Sequence, residues 1–159
     1  MLKPLPSRPD CSPEAAHRFV IVASRYNNEF VQPMVEKAIT EITTVEPNSK
    51  VEVIRAPGSF EIPFLARLAI ERNKPDAVIC LGVIFEGKTG HADLIAASVS
   101  DTLSQMAVET LTPVIHGVLL LQNEDQARER CLGHEINRGT EGARAAIEAL
   151  RAAHAITTI

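Results

Sequence analysis

The chain has 159 residues, 45% of them hydrophobic, and a net charge of −4 at pH 7. That length suits one domain with a buried core, and the charge gives no basic face for nucleic acid. No apolar run reaches the length of a membrane span or reads as a signal peptide, so neither nucleic acid nor membrane is expected as a partner. Cys11, Cys80 and Cys131 are odd in number and far apart. That pattern suits a reduced, cytoplasmic chain better than a disulfide framework. The five histidines show no metal-ligand spacing among themselves or with the cysteines.

Residues 1–16 hold Pro4, Pro6, Pro9 and Pro13. Proline fixes φ and removes a donor, so this segment reads as a flexible or extended arm. A single domain is expected over 17–156. Residues 17–24 (HRFVIVAS) form the first strand. Asn27 or Asn28 can cap a helix running to about Val45, with Pro33 in its early turns. Tyr26 sits at the strand end, where its ring either faces a ligand or covers the sheet edge. Residues 51–56 form the second strand. Pro57-Gly58 is then a turn signal, and Pro63 fits the first turn of a helix reaching about Arg72. Between them, Phe60 offers an aromatic wall. Glu61 offers either a hydrogen-bond acceptor or simply a favourable charge at a helix start.

Residues 76–93 (DAVICLGVIFEGKTGHAD) carry the most information. Ala77 to Phe85 is nearly all apolar, as in a strand buried on both faces of a parallel sheet. Gly87-Lys88-Thr89-Gly90 breaks the run, and Ile95, Val99, Leu103 and Ala107 follow at helical spacing to about Leu111. A turn at the carboxyl end of such a strand is where open α/β sheets bind ligands, and the helix start favours an anion. His91 lies in that first turn, either as a proton shuttle or as a helix-terminal histidine without chemistry.

Gly82 to Thr89 also matches the nucleotide-phosphate pattern G-x-x-x-x-G-K-[ST]. Its four middle residues, Val83, Ile84, Phe85 and Glu86, are wrong for a phosphate cradle, and no other strand ends in the Asp that would help hold magnesium. Residues 114–121 (VIHGVLLL) form the fourth strand, with His116 inside it as a core histidine or a site residue. Asn123 caps the next helix, with Gln126 at the capping-box position. Arg130 on that helix either is solvated or forks onto a phosphate. Gly133 ends or kinks the helix, and Asn137-Arg138-Gly139 opens a last one over about 141–153. The βαβαβαβα order gives a parallel four-stranded sheet with helices on both faces.

Assembled, these residues resemble the lumazine synthase family over about 19–150. The carriers are Ser24-Arg25-Tyr26-Asn27, Ala56-Pro57-Gly58-Ser59-Phe60-Glu61-Ile62-Pro63, Gly87-Lys88-Thr89-Gly90-His91, Glu124-Asp125-Gln126-Ala127, Arg130 and Asn137-Arg138-Gly139. The resemblance implies a flavodoxin-like three-layer α/β/α sandwich. It implies condensation of 5-amino-6-ribitylaminouracil with 3,4-dihydroxy-2-butanone 4-phosphate, without cofactor or metal. His91 matches the general acid/base, and Arg130, Thr89, Lys88 and the backbone from Gly87 match the phosphate site. Tyr26 stands where Phe is usual against the uracil, beside Asn27, Val83, Ile84 and Phe85. Glu61 with Gly58, Ser59 and Phe60 matches the ribityl site, and Arg138 stands where Lys is usual. The family completes each site from a neighbour in a homopentamer, which would supply His116 and Arg130. A non-catalytic lumazine- or flavin-binding relative is the third possibility, after the enzyme and the nucleotide binder.

The chain departs from the family's common pattern at Glu86 and Lys88, whose charges look exchanged across Gly87. It also departs at Ala92, where an aromatic residue is usual, at His116, which replaces Phe, and at Leu120-Leu121. Some relatives stack pentamers into a decamer or a sixty-subunit shell. The prolines of the arm and the altered turn Leu132-Gly133-His134-Glu135-Ile136 point to a free pentamer or a pentamer pair.

Overall fold

The computed structural model describes residues 3–157. In chain order it contains β1 (Arg18–Ser24), α1 (Asn28–Val45), β2 (Lys50–Ala56), α2 (Ile62–Asn73), β3 (Ala77–Phe85), α3 (His91–Thr110), β4 (Val114–Leu121), α4 (Glu124–Ala127) and α5 (Arg138–Thr157). The four strands are all parallel in the order β2-β1-β3-β4. The two apolar faces of each central strand feed different layers, as the period of two requires. Phe19, Ile21 and Ala23 of β1 join Ile79 and Leu81 of β3 under α1 and α5. Val20 and Val22 join Val78 and Cys80 under α2 and α3. This is the three-layer α/β/α sandwich with a flavodoxin-like sheet. Among the described residues no helix is long and apolar enough to cross a membrane.

Three local expectations need correction. Asn27 stands at the head of α1 in a left-handed conformation with φ 58°, but its side chain does not cap the helix. The amide instead donates to the Val83 carbonyl at 2.8 Å, because the left-handed turn aims it across the sheet. The helix after Asn123 does not stay α-helical. Asn123 does accept from the Gln126 amide at 3.0 Å, but after Ala127 the chain widens into a single π turn over Arg128–Leu132. The last helix starts at Arg138, earlier than the sequence suggested, because Asn137 is its cap. Asn137 Oδ1 accepts from the amides of Gly139 at 2.9 Å and Thr140 at 3.2 Å. The same side chain donates to the Cys131 carbonyl at 2.8 Å, tying the π turn to α5. Glycine is required at position 139, since a Cβ there would lie 2.0 Å from the Met34 carbonyl oxygen. Backbone contact of α5 on α1 leaves no room for a side chain.

Strand order places a switch point between β1 and β3. Their helices leave in opposite directions, to opposite faces of the sheet, so a crevice opens above the carboxyl ends of these two strands. The opposite end is covered by the N-terminal segment. Residues 3–12 form no helix or strand and cross the α1 and α5 surface. Arg8 forks onto the buried Glu41 carboxylate at 2.9 and 3.0 Å, Arg144 of α5 meets it at 2.7 Å, and Arg151 holds the Asp10 carbonyl at 2.7 Å. Burial pushes the Glu41 carboxyl up, but the hydrogen bonds of Arg8 and Arg144 outweigh that and hold it below its ordinary value.

Candidate active site

The crevice at the switch point is a cavity of about 480 Å³. Each wall follows from a local feature of the chain. After β1 the left-handed Asn27 turns the backbone sharply, which leaves Tyr26 standing out at 73% exposure. Arg55 at the end of β2 secures this turn from below. Its guanidinium donates to the Ser24 carbonyl at 2.9 Å, to Gln32 Oε1 at 2.6 Å and to Asn28. Burial, then the neighbouring Arg25, lowers the pKa of that guanidinium, yet it meets only neutral acceptors there. Val83, Ile84 and Phe85 of β3 form the floor, and Gly87, Thr89 and His91 the far wall. His91 is the first residue of α3, placed by Gly90 at φ 70°. The first amides of a helix have no backbone partner within it, so this wall presents N–H groups suited to an anion. Ala92 and Ile95 complete the lining. Ile95 lies four residues after His91, so helical spacing alone could have placed it there.

Gly58, Ser59, Phe60 and Glu61 lie on a short 3₁₀ turn before α2. Glu61 accepts from the Gly58 amide at 3.0 Å, which closes the turn. Phe60 is 61% exposed beside it. Ser59 packs toward β3, and this accounts for Gly82. A Cβ at position 82 would meet Ser59 Oγ at 2.7 Å and Ser24 Oγ at 3.3 Å.

That contact also removes the nucleotide-loop reading of Gly82 to Thr89. Gly82 is a mid-strand residue paired with Val118, and Val83, Ile84 and Phe85 continue in register with Leu119, Leu120 and Leu121. Their amides are in the sheet, so no phosphate cradle forms. Lys88 is exposed on the turn and lines neither of the two hollows. The two buried cysteines offer no nucleophile either, since burial pushes the Cys80 and Cys131 thiols up to about 12.

The remaining expected residues are elsewhere. His116, Arg130 and Arg138 line a second hollow of about 330 Å³ against the outer edge of β4. It shares no lining residue with the first. Arg130 rides the π turn, largely buried at 20% side-chain exposure. Its nearest carboxylate, Glu129, is 3.9 Å away, and its one side-chain hydrogen bond among the described residues, to the Gln126 carbonyl, is 3.4 Å long. This cation is therefore weakly compensated. Arg138 is paired with Glu141. Glu141 and Gly142 also border this hollow, and the sequence reading missed both. Glu141 sits three residues after Arg138 on α5, the spacing at which helical side chains meet.

A family model for 6,7-dimethyl-8-ribityllumazine synthase matches residues 16–154. The chain belongs to the 6,7-dimethyl-8-ribityllumazine synthase family. A relative of that name from Chlorobaculum parvum is 42% identical over 132 residues, covering 82% of this chain and 85% of its own. One from Chlorobium phaeobacteroides (strain DSM 266) is 41% identical over the same share of each chain. A more distant one, from Desulfotalea psychrophila, is 36% identical over 132 residues, again 82% and 85%. Within this lumazine synthase family member, the family-matching residues around His91 and Tyr26 gather in one crevice. Those around Arg130 and Arg138 gather in another.

Proposed function

We propose that the protein condenses 5-amino-6-ribitylaminouracil with 3,4-dihydroxy-2-butanone 4-phosphate to 6,7-dimethyl-8-ribityllumazine, releasing phosphate and water. The observation that carries this reading is His91 at the head of α3, opening onto the 480 Å³ crevice above the switch point. The uracil lies against the Tyr26 ring, with its ribityl chain toward Glu61 and the Ser59–Phe60 backbone. The amine attacks the butanone carbonyl, and loss of water gives an imine. Proton removal then expels phosphate, and attack by the second nitrogen closes the ring with loss of a second water. Each step moves a proton, and His91 is the imidazole in the crevice that can take one up and give one back. The departing phosphate sits over the Gly87–Thr89 backbone at the start of α3 and takes a guanidinium from Arg130.

Arg130 belongs to the other hollow, and this supports a site completed between copies of the chain. In a homopentamer one subunit supplies the His91 crevice, and its neighbour supplies His116, Arg130 and Arg138. The exposed Tyr26 and Phe60 rings fit a boundary that a second subunit covers. The assembly is a free pentamer or a pentamer pair in the cytoplasm. Light scattering should give a mass near five or ten chains, and a dominant sixty-chain species would overturn that part alone. The reaction itself is tested by mixing purified protein with both substrates and following the lumazine chromophore. Formation no faster than the spontaneous reaction would sink the proposal.

A further inference from the structure

His116 is a histidine in an edge strand with both ring nitrogens engaged. The Val118 amide, two residues on, donates to Nδ1 at 3.2 Å. Nε2 lies 2.7 Å from Ser100 Oγ, and that hydroxyl donates to the Ala96 carbonyl at 2.8 Å. These three contacts determine the proton positions. An amide can only donate, so Nδ1 must be an acceptor and carries no hydrogen. A carbonyl can only accept, so the Ser100 hydrogen points to Ala96 and its lone pair faces the ring. Nε2 therefore carries the ring proton and donates to Ser100. The only ring that satisfies this chain is the neutral Nε2–H tautomer. A protonated ring would aim Nδ1–H at the Val118 N–H, two donors face to face.

We infer that His116 is a positioning residue that clamps edge strand β4 to helix α3. The two ends of the clamp belong to the two half-sites. Ser100 and Ala96 lie on the helix that begins at His91, whereas β4 runs directly into α4 and the π turn that carries Arg130. Within each subunit this fixes the spacing between His91, which serves one reaction site, and Arg130, which serves the next, a placement that rests on the function proposed above. The clamp also satisfies an amide of the strand at the sheet edge, which would otherwise be open to pairing.

The surroundings favour the neutral ring. His116 is exposed along the strand edge, yet partial desolvation of its ring lowers its pKa below the ordinary 6.5. The charged groups bordering the same hollow are Arg130, Arg138 and Glu141, two cations to one carboxylate. Helix α3 faces the ring with the uncharged Ser100. The clamp is therefore closed at neutral pH and opens only on the acid side.

The test has two parts. In protein labelled with ¹⁵N at histidine, one ring should show a single neutral Nε2–H signature at pH 7, absent from His116→Phe. A protonated ring, or rapid exchange between tautomers, would overturn the clamp. In the second part Ser100, which lines neither hollow, is replaced. Ser100→Ala should lower kcat/KM about three- to tenfold, the usual effect of one lost hydrogen bond, and Ser100→Thr should restore it by returning the hydroxyl. Because the two residues act as one unit, the Ser100→Ala/His116→Phe double variant should be no slower than His116→Phe alone. Wild-type kinetics in Ser100→Ala, or additive losses in the double variant, would refute the inference. A wild-type protein that forms no chromophore would count against the proposed reaction, and the ring signature alone would then decide the clamp.

Discussion

The two ends of this sheet treat charge in opposite ways. At the end covered by the N-terminal segment, the buried Glu41 takes a fork from Arg8 and a third bond from Arg144. The buried Glu46 accepts from Ser49 at 2.8 Å and meets His17 Nδ1 at 2.9 Å. At the carboxyl end, Arg130 has a long bond to a carbonyl and a carboxylate no nearer than 3.9 Å, and Tyr26 and Phe60 stand out in solvent. A buried charge costs several kcal/mol unless it is paired, so a chain pairs its charges wherever stability alone is at stake. Unspent hydrogen-bonding capacity at the carboxyl end fits the ligand and the neighbouring subunit proposed above. The contrast predicts that substitutions at the two ends separate cleanly into effects on rate and effects on stability.

The largest effect is expected at His91. A positioned general acid/base contributes about 10²–10⁴-fold. His91→Ala should slow turnover by up to that range with Tm unchanged, since the side chain is exposed and makes no hydrogen bond to another of the described residues. Stopped-flow detection of the lumazine chromophore measures the first, and calorimetry the second. Unchanged turnover would remove His91 from the mechanism. At the other end Arg144→Ala should do the reverse. It leaves the buried Glu41 with a single, largely exposed partner, at a cost of about 3 kcal/mol. Tm should fall by roughly 6–12 °C for a domain of this size, with kcat preserved at 25 °C. A large loss of kcat in the folded variant would erase the division between the ends.

Arg130 sharpens the contrast, because it is a charge at the functional end that is nearly buried. Its loss should cost roughly 1.5–3 kcal/mol of binding to a phosphate-bearing substrate. The Michaelis constant for the butanone phosphate should therefore rise by about 10- to 150-fold in Arg130→Ala, with little change for the uracil. Equal weakening of both would make Arg130 a structural residue.

How far the sequence could be read follows the same line. The strands and the sandwich were legible because Ala77 to Phe85 and His17 to Ser24 are apolar runs of strand length between strong turn signals. His91 and Tyr26 were legible because each follows directly from a strand end. The π turn at Arg128–Leu132 was not, since the bond that ties it, from the Asn137 side chain six residues on to the Cys131 carbonyl, lies outside the helix's own ladder. The use of Asn27 was misread for the same reason. A cap is a local signal, but the acceptor that won, Val83, is on another strand. The splitting of the expected site into two hollows is a matter of tertiary placement, which periodicity does not report.

The smallest effect is expected at Arg8, and it isolates the arm from the core beneath it. The Arg8 side chain is 54% exposed, whereas Glu41 is 4% exposed and keeps Arg144. An exposed partner of a pair contributes little to global stability, so Arg8→Ala should leave Tm and turnover close to wild type. It should nevertheless loosen the arm locally, because the fork onto Glu41 is its main charged anchor ahead of Arg151. Cys11 lies in this arm and is exposed, which gives a direct reading. Limited proteolysis within residues 3–16 should be faster in Arg8→Ala, while the Cys11 thiol, already accessible, should react at an unchanged rate. Acid should act in the same direction in the wild-type chain. Glu41 has its folded pKa held below the ordinary 4.5, so its contribution to stability is present above that value and lost as pH falls through the folded one. Arm cleavage should therefore rise in wild type only below pH 4.5, and Glu41→Gln should remove that acid limb. Equal cleavage of Arg8→Ala and wild type at neutral pH would mean that the arm is held by Arg144, Arg151 and backbone contacts without Arg8.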